Sequence, residues 1–99
     1  MKTQLYLERE QINLLIDSMQ THLWKHHQDM TFTYAGRLED LVNRYSNVYN
    51  RHSFHYAFAT EADEFQLMLD ALHSFLREDI TERQREITIE TIKSIEIQK

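Results

Sequence analysis

Residues 8–25, EREQINLLIDSMQTHLWK, decide how this chain is read, because Ile12, Leu15, Ile16, Met19 and Leu23 recur at three- and four-residue spacing. That spacing places them on one face of an amphipathic helix. Glu8 and Glu10 fall in its first turn and Lys25, His26 and His27 in its last, as the helix dipole favours. The stretch also has an echo: shifted by 53 positions, Ile12, Leu14, Leu15, Ile16, Asp17, Met19 and Leu23 fall on Phe65, Leu67, Met68, Leu69, Asp70, Leu72 and Leu76. The expectation is two copies of one helical unit, over residues 8–51 and 61–97, the alternative being a chance likeness between two helices of similar pattern.

Outward from that helix, the chain offers one glycine and no proline among its 99 residues. Strand-rich folds draw on residues that tolerate positive φ, and phosphate-binding loops need several glycines, so the composition points to helix and away from nucleotide-binding enzymes. The length suits one domain, residues 1–99, with its own core. With no cysteine, disulfides, thiol catalysis and Cys-based zinc sites are excluded. No apolar run approaches the 18 or so residues of a membrane span, and none resembles a signal peptide, so a cytoplasmic protein with no membrane partner is expected.

Three further helices are read. Leu38, Leu41, Val42, Tyr45, Val48 and Tyr49 form the stripe of a helix from about 34 to 51. Thr60, followed by Glu61, Asp63 and Glu64, reads as the cap of a third, running to about 79 with Phe65, Met68, Leu69, Leu72 and Phe75 inward. Thr81 and Gln84 form a capping-box pair opening a fourth, which is read to Ser94. Residues 95–98 are left as a candidate strand, since Ile95 and Ile97 alternate and β-branched residues favour strands. Leu5 and Leu7, and Phe54, Tyr56 and Phe58, alternate as well. In an up-and-down arrangement these segments meet at one end. The expected fold class is therefore all-α: a four-helix bundle or two duplicated helical hairpins, with room for a small strand pairing from the terminal segments, or for a partner's strand to join.

Chemistry is sparse. His22 and His26, four apart on a helix, are the weak candidates for a metal site, but no acid stands where a metalloprotease needs it and no Glu-x-x-His motif occurs. The serines lack a nucleophile-elbow context. No catalysis and no cofactor are expected. Net charge is −5, and lysines and arginines do not cluster, so direct nucleic-acid binding is not expected. The acids from Glu61 onward raise the alternative of an inhibitor that mimics nucleic acid, although Arg77, Arg83 and Arg85 interrupt the run.

Aromatics outside the helical stripes carry the functional reading: Trp24, Phe54, Tyr56 and Phe58 are candidates to meet a partner. Ile92 and Ile95 join them, because Ile89, Ile92, Ile95 and Ile97 cannot all face inward from one helix, which points to a homodimer through helix 4 or the C-terminal tail. The size, the composition and the opening LEREQINLLIDSM resemble short helical accessory proteins of bacteria and phages. The expected function is a small non-catalytic interaction or regulatory module that binds and modulates a protein partner. A His-ligated metal-binding bundle is the remaining alternative.

Overall fold

A computed structural model describes residues 2–49 and 55–99, with side chains at all of these except 55 and 56. The chain runs β1 (Thr3–Glu8), α1 (Arg9–His26), a 3-10 turn (His27–Asp29), α2 (Phe32–Tyr49), β2 (His55–Thr60), α3 (Ala62–Phe75) and α4 (Glu82–Gln98). α1 is central and packs against the other three helices.

The two strands pair antiparallel, with Leu5 opposite Phe58 and Thr3 opposite Thr60. Alternation decides which face they bury: Leu5, Leu7, Phe58 and Thr60 point into the core, while Gln4, Tyr6, Ala57 and Ala59 stay exposed. This sheet overturns the expectation of an all-α bundle or of two helical hairpins: the described residues form four helices plus a two-stranded antiparallel sheet. Nor do the terminal segments pair with each other, because the N-terminal strand joins a mid-chain segment and residues 95–98 belong to α4.

Each strand passes almost directly into a helix, and the two junctions are built alike. The N–H of Glu8 donates to Gln11 Oε1 at 3.1 Å, and the N–H of Glu61 donates to Glu64 Oε1 at 2.9 Å. Both junctions satisfy a donor that the helix start leaves open. The cap of α3 is thus Glu61, one residue later than the sequence reading; Thr60 is buried and its hydroxyl donates to the Phe58 carbonyl instead.

α4 begins at the expected box, where the N–H of Gln84 donates to Thr81 Oγ1 and the N–H of Thr81 to Gln84 Oε1. It runs past Ser94 because Ile87, Thr88, Thr91, Ile92 and Ile95 form a continuous buried helical stripe. Its two buried threonines donate back to the carbonyls of Gln84 and Ile87 at 2.6 and 2.7 Å, so neither threonine hydroxyl is stranded in the core.

The core unites Leu5 and Leu7 with Ile12, Leu15, Met19, Leu38, Leu41, Tyr45, Met68, Leu72 and Ile95. Tyr45 lies flat on Phe58, ring centroids 4.0 Å apart and planes 8° apart, which fixes α2 beneath the sheet. Burial pushes the Tyr45 phenol up to about 12. Leu14 and Leu67, which sit beside their helical stripes in the sequence, are buried too.

Candidate functional site

Two concave surfaces flank the junction of α1 and α2, and one short turn creates both. After the 3-10 turn, Thr31 Oγ1 accepts the N–H of Tyr34 at 3.1 Å and so caps α2. The helix therefore starts at Phe32, two residues before the sequence reading placed it. Tyr34 turns inward, and Phe32, two helical steps or about 200° away, turns out.

Phe32 is 99% exposed and Trp24, on the last turns of α1, is 77% exposed. Together they line a groove of about 590 Å³ whose floor includes Leu23, Ala35, Gly36 and Val42. A Cβ at Gly36 would meet nothing within 4 Å, so the floor is open there. Two large aromatics stand together in water over an apolar floor and so form a contiguous apolar patch, whereas singly scattered apolar residues are ordinary.

On the other side of Tyr34 lies a cleft of about 790 Å³ between α1, α2 and α3. Tyr34 Oη donates to Asp70 Oδ2 at 3.0 Å, and Asp70 Oδ1 accepts from Gln66 Nε2 at 2.8 Å. His22 Nε2 lies 3.3 Å from the same phenol oxygen. Since the phenol proton is committed to the carboxylate, the imidazole donates from Nε2, and its bare Nδ1 is buried without a partner among the described residues. Burial pushes the phenol of Tyr34 up, reinforced by the Asp70 charge and hydrogen bond. Burial also holds His22 below the ordinary histidine range, with His26 adding to the effect and Asp70 opposing it. The arrangement clasps three helices together.

The clasp gives stability a pH dependence. His22 binds its proton less well folded than unfolded, so its contribution is complete above the unfolded value near 6.5 and is lost as pH falls below it. Thermal melts should show the wild type losing stability between about pH 7 and pH 5, with His22→Gln flattening the curve. A variant as pH-sensitive as the wild type across that window would contradict the clasp.

His22 and His26 do come together, ring centroids 5.5 Å apart. Among the described residues, however, no group of three or more histidines, cysteines or carboxylates is arranged to hold a metal. His73 and Ser74 line the cleft, but no hydrogen bond joins them among the described residues.

Of the residues singled out for a partner, Trp24 is at the surface. Phe58 is buried under Tyr45, and Ile92 and Ile95 are buried in the α4 stripe, so these three present nothing to a partner. Phe54 and the side chain of Tyr56 lie outside the described residues. Phe32 was missed. Its signal is Thr31 three residues before Tyr34, a cap that fixes the helix start and hence which aromatic faces out.

Set against models of known protein families, curated proteins and solved structures, the chain matches none of them.

Proposed function

We propose that this protein is a small, non-catalytic interaction module that binds and modulates a protein partner through the Trp24–Phe32 groove. The observation that carries the reading is the exposure of two large aromatics over one apolar floor. Tryptophan is enriched among residues that dominate binding energy, and rigid aromatics lose little entropy on docking. A bacterial or phage accessory role in the cytoplasm completes the reading. No helix among the described residues is long and apolar enough to cross a membrane.

The nucleic-acid-mimic alternative is disfavoured by how the acids are used. Asp63 and Glu64 pair with Arg37 and Arg44, Glu78 with Lys25, and Glu10 and Glu86 with Arg83. Acids engaged by neighbouring cations make a patchwork surface, not the uninterrupted negative track that a basic groove reads.

A partner captured from the source organism and then purified tests the reading by titration. Trp24→Ala and Phe32→Ala should each weaken binding by about 30-fold or more. Both residues are exposed, so the melting curves should stay within about 0.5 kcal/mol of wild type. Unchanged affinity in both variants removes the groove from the interface.

A further inference from the structure

The two edges of the sheet are treated differently. At the outer edge of β1, the side-chain amide of Gln98 reaches back from the end of α4, accepting the Tyr6 N–H at 2.7 Å and donating to the Tyr6 carbonyl at 3.0 Å. The Glu8 N–H is taken by Gln11. A single glutamine thus stands in for a third strand and blocks that edge, a common means of protecting one.

These bonds also fix where β2 is open. Tyr6 directs its N–H and C=O away from β2, so Tyr6 and Ala57 form a non-hydrogen-bonded pair, and by alternation so do Gln4 and Ala59. The N–H and C=O groups of Ala57 and Ala59 therefore point out from the far edge of β2. Among the described residues nothing pairs with them. Neither a charge nor a proline guards this edge: HYAFAT contains no Asp, Glu, Lys, Arg or Pro.

We infer that the free edge of β2 pairs with β2 of a second copy of this chain, antiparallel about a two-fold axis at Phe58, giving a four-stranded sheet in order β1-β2-β2-β1. In that register Ala57 of one copy faces Ala59 of the other on both sides of the axis, and each facing pair exchanges two backbone hydrogen bonds. The occupant follows from the edge itself. Strand addition takes its affinity from backbone bonds and its specificity from pockets for alternate side chains, and exposed alanines offer a foreign strand no such pocket. Self-pairing needs only an edge that matches itself, which a two-fold supplies. No like charges meet, because the strand is uncharged and Asp63 and Glu64 just beyond it are paired with Arg37 and Arg44 of their own chain.

Light scattering over about 10 to 100 μM, with two charge variants, tests this. The wild type should show twice the 12.0 kDa of the chain at the upper end. Ala57→Glu/Ala59→Glu sets like charges opposite each other across the axis and should be monomeric. Ala57→Lys/Ala59→Glu sets opposite charges there and should restore the dimer. Both double variants alter the same exposed positions, so circular dichroism should show the same fold in each. A monomeric wild type, a dimer that survives the double glutamate, or no recovery with the lysine–glutamate pair would each overturn the inference.

Discussion

Leu15→Ala and Met68→Ala should each lower the unfolding free energy by about 2 to 5 kcal/mol in urea melts. Both side chains are fully buried, Leu15 on α1 and Met68 on α3, and these two helices pack against each other. Each truncation removes apolar contact and leaves a cavity that rigid neighbours only partly fill. Domains of this size hold only about 5 to 15 kcal/mol in all, so either change moves the midpoint well outside experimental error. A loss below about 0.5 kcal/mol for either residue would take its helix out of the core.

Ile95→Asp should abolish the folded state at room temperature, whereas Ile97→Asp should stay within about 0.5 kcal/mol of wild type. Ile95 is fully buried in α4 and Ile97 is 84% exposed. Two residues apart, they lie about 200° apart around a helix but on the same side of a strand. The contrast therefore reports directly on α4. Equal effects from the two substitutions would restore the strand reading of the C-terminal segment. Because Ile95 is committed to the core of its own chain, its loss should act on folding before it acts on any association.

What was legible in the sequence was local. The α1 stripe of Ile12, Leu15, Ile16 and Met19 and the Thr81–Gln84 box depend on neighbours within one or two turns, and each lies where its spacing put it. β1 was not legible as one member of a pair, because Leu5 meets Phe58 across more than fifty residues of intervening chain, and alternation says that a segment is extended without saying what it joins. In α4 the β-branched composition misled. Propensity is a weak prior, and threonines whose hydroxyls bond to carbonyls four residues back are tolerated even in a buried helical stripe.

The site divides the same way. Trp24 could be found because it falls off a strong helical stripe. In the sequence Met30, Phe32 and Tyr34 alternate with Thr31 and Thr33, a pattern that reads as an extended segment with all three on one side; only the Thr31 cap separates Phe32 from Tyr34. Phe58, Ile92 and Ile95 counted as surplus apolar residues while the chain was four helical stripes, and the sheet supplies the extra face that buries Phe58. The His22–Tyr34–Asp70 clasp joins three helices and has no spacing that could announce it.

The most direct measurement of the central claim, that the Trp24–Phe32 groove is where a protein partner docks, is photo-crosslinking in the source organism from probes placed singly at positions 24, 32 and 97. All three positions are exposed and apolar, so probe chemistry and accessibility are matched. Crosslinks to one common protein from positions 24 and 32, and none to it from 97, are expected. The same protein captured from 97 but from neither 24 nor 32 would contradict the account.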